Sequence, residues 1–214
     1  MQAPLHPKRL AACLLGLGLA ALGPGSAGLA QTVETRETEL AGERCRPVQG
    51  APTARLCPGH GGAMVELAPS GGEVRLSLVF SAKDRAEDLV RGRAFAKTME
   101  WRGLKGNKGF EPFAALVAVE VTAPPGAKRA GRVFAVLRVD PREAEACPLA
   151  YVDASRTRNA RALARRAADE RALSHLCLSD PPAVIGADTP RIRRLLERPR
   201  SSPGPGAGGA ATQQ

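Results

Sequence analysis

The chain is poor in aromatic side chains and in histidine. Of its 214 residues one is Trp, one Tyr and five Phe. All seven lie between Phe80 and Tyr151, and large apolar side chains supply much of the area a core hides from water. The packed core is therefore expected around that stretch. Three histidines are present, His6, His60 and His175, and only the last two stand clear of the N-terminus. No Gly-x-Ser-x-Gly elbow, His-Glu-x-x-His or Ser-x-x-Lys occurs, which excludes on pattern the hydrolases and metalloproteases that carry them. "CPGH", Cys57 to His60, has no second cysteine, so it is not a haem-attachment site. There is no internal repeat, and past the N-terminus no apolar run approaches the roughly 20 residues a membrane-spanning helix needs.

What the N-terminus does have is a leader. Lys8 and Arg9 make a basic start, Leu10 to Leu22 an apolar stretch, and "GPGSAGLA" supplies small residues after it, the order of a secretory signal. The expected signal peptide is 1–30, cut after Ala30, with Ala27 as the second choice. "LAAC", Leu10 to Cys13, looks like a lipoprotein box but precedes the apolar stretch instead of following it, so Cys13 is expected to leave with the leader.

Four cysteines then remain: Cys45, Cys57, Cys147 and Cys177. An even number in an exported chain of one-domain length reads as a disulfide framework. Three pairings are possible, and Cys45–Cys57 with Cys147–Cys177 is expected because each pair lies in its own local segment. The competing use is a metal site. Cys57, His60, His175 and Cys177 together make two thiolates and two imidazoles, the ligand set of tetrahedral zinc. The one-residue gap in "HLC" and the oxidising compartment both count against it.

The full chain carries +10, and loss of Lys8 and Arg9 leaves +8. Arginine supplies almost all of the excess, and with abundant Ala, Gly and Pro this points to a GC-rich bacterial genome as one source of the basicity. A functional source would be attraction to a polyanion such as lipopolysaccharide, anionic lipid or acidic polysaccharide. Outside the cytoplasm nucleic acid is not the expected partner.

Period two dominates the middle of the chain. "EVRLSLVF" alternates Val74, Leu76, Leu78 and Phe80 against Glu73, Arg75 and Ser77, a half-buried strand. "AMVELAP" joins it through "SGG" as a hairpin. "FAKTMEW" sets Phe95, Met99 and Trp101 on one side with Lys97 interrupting. "FAALVAVEV" and "RVFAVLRV" read as central strands, "TAPPGAKRAG" as the turn between them, and "PLAYVD" as a last strand ending at Asp153. "DRAEDLV" reads as a short helical turn. From Ser155 to Ser174 the period becomes helical, with Ala160, Leu163, Ala164, Ala167 and Ala168 on one face, Arg158, Arg161, Arg165 and Arg166 on the other, and Asp153 or Ser155 as the N-cap.

The expected organisation is a leader (1–30), a polar lead-in (31–44), one α+β domain (45–186) and a basic, then Pro/Gly-rich disordered tail (187–214). Within the domain the sequence predicts a curved antiparallel meander of about six strands with one C-terminal helix packed on it. A β-sandwich without a packed helix is the alternative.

Several groups qualify as candidate sites. Glu100 and Asp153 are carboxylates available for acid–base work. "RGLKGNKG" sets Arg102, Lys105 and Lys108 among glycines, as an anion cradle or as a hairpin connection. "RIRRLLERPR", Arg191 to Arg200, is a basic segment short enough to be disordered in free solution. His60 and His175 would serve a disulfide- or zinc-containing hydrolase. No cofactor motif is present.

"MEWRG…PFAALVAVEV" followed by "CPLAYVDASRTRNARALARRAADE" resembles uncharacterised small exported proteins of GC-rich Gram-negative bacteria, over Met99 to Glu170. The resemblance implies an exported address and no site residues. The functional expectation is a periplasmic or secreted non-catalytic protein, a binding or envelope-associated module with a basic surface. Its expected partner is an anionic envelope component or another protein.

Overall fold

The computed structural model describes residues 32–107, 109–122 and 130–197. The leader with Cys13, Lys108, most of the Pro-Pro-Gly loop and the end of the tail lie outside the described residues.

The chain is mostly β-sheet. In order it forms β1 (Val33–Glu39), β2 (Arg46–Val48), β3 (Ala51–Pro58), β4 (Met64–Ser70), β5 (Glu73–Val79), β6 (Arg85–Gly92), β7 (Ala94–Gly106), β8 (Gly109–Val121), β9 (Gly131–Asp140), β10 (Glu145–Asp153), α1 (Ala160–Arg171), β11 (Ala183–Val184) and α2 (Pro190–Leu196). The strands make two sheets instead of one meander. One runs β1-β7-β8-β9-β10-β11, the other β2-β3-β4-β5-β6. All pairings are antiparallel except that of β10 with β11. Both expected disulfides, Cys45–Cys57 and Cys147–Cys177, are formed.

The inner faces of the sheets share one apolar cluster: Cys57, Val65, Leu76, Leu78 and Val90 from the smaller sheet meet Met99, Trp101, Val117, Val119, Ala135, Leu137 and Tyr151 from the larger. The expected aromatic core is there. Trp101 is fully buried, and its indole N–H donates to Thr38 Oγ1 at 2.9 Å, which in turn donates to the Pro58 carbonyl at 3.0 Å. The other face of the larger sheet, through Phe113, Ala114, Leu116, Val136, Leu149, Ala150 and Val152, shares a second cluster with Ala160, Ala164, Ala167 and Ala168 of α1. That explains why "FAALVAVEV" does not alternate: β8 is covered on both faces.

Where the structure departs from the sequence reading, a bulge or an edge is the cause. "DRAEDLV" is strand, not helical turn: β6 pairs with β5 with a register shift between Leu76 and Leu78, Asp88 has φ 58°, and its N–H donates to Ser77 Oγ at 3.0 Å. Five residues of β6, 86–90, face three of β5, 76–78, and the two extra residues interrupt the alternation. In the same way the shift between Phe95 and Met99 in the β7–β8 register accommodates Lys97. The "polar lead-in" contains β1, paired along its whole length with β7. Its sequence, VETRETE, is that of a charged edge strand, which discourages pairing with other chains and hides from a hydrophobicity scan. The tail contains α2, whose Ile192 and Leu195 enter the inner cluster.

The "SGG" hairpin is as expected. Ser70 faces Glu73, and Gly71 and Gly72 have φ of 58° and 78°, the two left-handed turn residues of a type I′ connection. The cap of α1 is not. Asn159, φ 56°, is the N-cap without a side-chain hydrogen bond. Ser155 Oγ instead accepts from Arg132 N–H at 3.1 Å, and Asp153 accepts from Ser155 N–H, Thr189 and Arg191.

Candidate functional site

Between β3 and β4, "LCPGHGG" is a turn held by its own backbone. Gly59 N–H donates to the Ala63 carbonyl at 3.0 Å and Ala63 N–H to that of His60 at 3.2 Å, with Gly61 and Gly62 at positive φ. Cys57 is taken by Cys45. His60 is half-buried, its ring edge-on to Trp101 (centroids 5.8 Å) and Phe110 (5.5 Å), with Nε2 3.3 Å from the Glu37 carbonyl. The Arg36 guanidinium stacks on Phe110 at 4.6 Å. Burial is the main influence on the imidazole and lowers its pKa; the Glu37 hydrogen bond opposes, and the charges of Arg36 and Arg44 add to the lowering. His60 is a packing residue against Trp101 and Phe110, both of the inner cluster.

His175 lies beyond the end of α1, on the opposite side of the larger sheet. It is buried, with Nδ1 3.8 Å from Asp180 Oδ2, and lines a shallow cleft of about 280 Å³ with Arg171, Ser174, Asp180 and Pro181. The four-ligand set Cys57, His60, His175 and Cys177 is therefore not assembled. Its two sulfurs are bonded to Cys45 and Cys147, and the sheet stands between its imidazoles. Among the described residues no group of three or more His, Cys, Asp or Glu side chains is placed to hold a metal ion.

The two carboxylates singled out in the sequence are both buried and both structural hubs. Glu100 follows Met99 and precedes Trp101 on β7, so it points to the α1 side of the sheet. Arg165 donates to it through Nε at 2.6 Å and Nη2 at 2.9 Å, and Arg161 through Nη2 at 2.8 Å and Nε at 3.1 Å. Burial is the strongest single influence and would raise the Glu100 pKa, but the hydrogen bonds and charges of Arg165 and Arg161 together exceed it and the pKa ends below the ordinary value. Asp153, fully buried at the end of β10, accepts from Ser155 N–H at 2.8 Å, Thr189 Oγ1 at 2.7 Å and Arg191 Nη1 at 3.4 Å. It ties the start of α2 to the sheet. A Cβ on Gly131 would come within 2.2 Å of Arg191 Nε, so glycine there makes room for the guanidinium.

The anion-cradle candidates do not converge. Arg102 is drawn to α1, donating to Asp169 at 2.9 and 2.6 Å, and also bonds Thr35 Oγ1. Lys105 is an exposed residue near the β7–β8 hairpin. Lys108 lies outside the described residues. The glycines answer to the hairpin: a Cβ on Gly103 would meet the Glu111 carbonyl at 2.5 Å, and Gly109 has φ 107°.

Arginines on the polar side of α1 are likewise engaged, Arg161 and Arg165 with Glu100 and Arg166 with Glu170 at 2.7 Å. All 21 acidic residues and 24 of the 31 basic ones are described, a difference of +3. Most of the mature excess therefore belongs to Lys108, Lys128, Arg129, Arg198 and Arg200, outside the described residues.

Sequence reasoning missed the leucines at the end of α1. Leu173, Leu176 and Leu178 are 71, 63 and 81 % exposed; among the described residues the one other exposed large apolar side chain is Leu196, at 37 %. The available signal was "RALSHLCLSD", where helical spacing lapses before the cysteine. No helix among the described residues is long and apolar enough to cross a membrane.

Comparison of the chain with protein-family models, curated proteins and solved structures finds no match.

Proposed function

We propose that the chain is an exported, disulfide-closed module that works by binding, associating with anionic components of a bacterial envelope. The observation that carries this reading is the closure of all four described cysteines into two local bridges, the pattern of chains that fold in an oxidising compartment. The leader-like 1–30 segment and the resemblance to small exported proteins of GC-rich Gram-negative bacteria support the same address. Binding is preferred to catalysis because His60, Glu100 and Asp153, the groups with most chemistry to offer, are each engaged in holding the fold together. The basic excess supplies the attraction to an anionic surface.

The test is co-sedimentation of the purified mature protein with isolated envelope fragments at low and at high ionic strength. Electrostatic association is screened over about 10 Å at ~0.1 M salt and over about 3 Å at ~1 M, so the protein should pellet at low salt and be released at high salt. Equal retention at both would overturn the electrostatic reading.

A further inference from the structure

Three of the four exposed large apolar side chains among the described residues lie in six residues of chain. Leu173, Leu176 and Leu178 follow α1 directly, and Cys177 between the last two is bonded to Cys147 on β10. The segment is held in place. Ser174 and His175 N–H donate to the Arg171 carbonyl, Leu176 N–H to Asp180 Oδ2 at 2.8 Å, and Asp180 N–H returns to the Leu176 carbonyl at 2.9 Å. The bridge and these turns spend the polar groups of the segment inward and leave its leucines outward. A clustered apolar patch on an otherwise well-buried chain marks an interaction site.

Asp169 is paired with Arg102 and Glu170 with Arg166, while Asp180 is engaged by the Leu176 N–H and lies beside His175. Arg171 lines the cleft with Ser174 and His175 and, among the described residues, takes part in no salt bridge. Asp169 and Glu170 are thus each paired with an arginine, and the charges left beside the apolar tip are those of Arg171 and the hydrogen-bonded Asp180. A second copy of the chain fits less well: three leucine side chains offer roughly half of the ~800 Å² per partner that a stable dimer buries. A lipid surface needs no matching area, only apolar side chains that reach the acyl boundary and cations at the headgroups.

We propose that residues 172–180 are a membrane-docking wedge, in which Leu173, Leu176 and Leu178 enter the outer layer of an anionic phospholipid surface with Arg171 at headgroup level and the Cys147–Cys177 bridge fixing the presentation. This rests on the exported, envelope-binding reading and names the surface it uses.

The experiment is flotation of the mature protein with phosphatidylcholine vesicles, with and without phosphatidylglycerol. The set compares the parent chain, the triple variant L173S/L176S/L178S and R171Q. All three replaced leucines are exposed, so the triple variant should keep its fold, checked by circular dichroism and by the absence of free thiols. The parent is expected to float with the anionic vesicles, the triple variant to lose about tenfold or more in partitioning and R171Q a smaller factor, since each buried apolar group and each interfacial cation contributes separately. In Leu176→Trp the new indole should be quenched by brominated lipid, against a constant background from buried Trp101. A triple variant that floats like the parent, or an unquenched Leu176→Trp protein, overturns the wedge. So does parent self-association that the triple variant abolishes, which would assign the patch to a second copy. If the triple variant floats like the parent and both sediment with envelope in a salt-sensitive way, the wedge fails and the binding module stands; if the parent fails to sediment at all, the binding module itself fails.

Discussion

Glu100 shows how one residue can look catalytic in the sequence and prove structural in the fold. It is 4 % exposed with two guanidinium groups on one carboxylate, an arrangement that fixes α1 over the sheet. Removing the charge leaves Arg165 without its carboxylate and Arg161 with Glu37 alone, although both remain partly in water. Glu100→Gln should therefore destabilise the chain by about 1.5–3 kcal/mol in urea unfolding, the range for losing a hydrogen bond to a charged group. Because the Glu100 pKa is lowered in the fold, the unfolded chain takes up its proton first as the pH falls; the stabilisation is complete above the ordinary value of 4.5 and drains away as the pH drops through the folded value. His60 behaves alike at higher pH. Its folded pKa is lowered, so stability should begin to fall as the pH drops below the ordinary 6.5. Urea midpoints measured from pH 8 to pH 3 should show both declines, the upper one absent in His60→Gln and the lower one weakened in Glu100→Gln. Midpoints that fall identically in the parent and both variants would contradict these assignments.

At the scale of elements, the sequence revealed what obeys a single period and concealed what breaks one. β4, β5, β8, β9 and β10 were legible because their apolar residues alternate or run densely in a segment long enough to count, and α1 because its alanines recur at helical spacing. β6 and the middle of β7 were obscured by bulges at Asp88 and Lys97. β1 was hidden because an edge strand needs charge, and α2 because its stability comes from tertiary contacts: Thr189 and Arg191 on Asp153, and Ile192 in the inner cluster. A seven-residue helix has little stability of its own. Ile192→Ala should consequently cost about 2–5 kcal/mol, as a fully buried truncation does. Hydrogen exchange should show residues 189–196 losing protection before the sheets. The bridge pairing was legible from local spacing, while its consequence was not. Opening Cys147–Cys177 in C147S/C177S frees a loop that contains α1, with an expected loss of about 3–4 kcal/mol on the loop-entropy account. Faster exchange confined to 172–180 and the end of α1, with the smaller sheet unchanged, is the pattern that checks it.

For the whole molecule, the candidate site dissolved into the fold. The metal reading required four residues to converge, and topology set a sheet between the halves of the pair His60 and His175. The basic surface inferred from composition is largely balanced over the described residues, and an apolar feature that composition could not reveal took its place: three leucines beside a bridge. The account stands on the chain being exported and oxidised, since both the address and the presentation of those leucines depend on it. The most direct measurement is the intact mass and N-terminal sequence of the protein recovered from the periplasmic fraction of a Gram-negative host, with peptide mapping under non-reducing conditions. The account predicts a chain beginning at Gln31, lighter than its reduced form by the four hydrogens of two disulfides, with Cys45 linked to Cys57 and Cys147 to Cys177. A chain that retains Met1 in the cytoplasmic fraction, or one with titratable thiols at these positions, would contradict it.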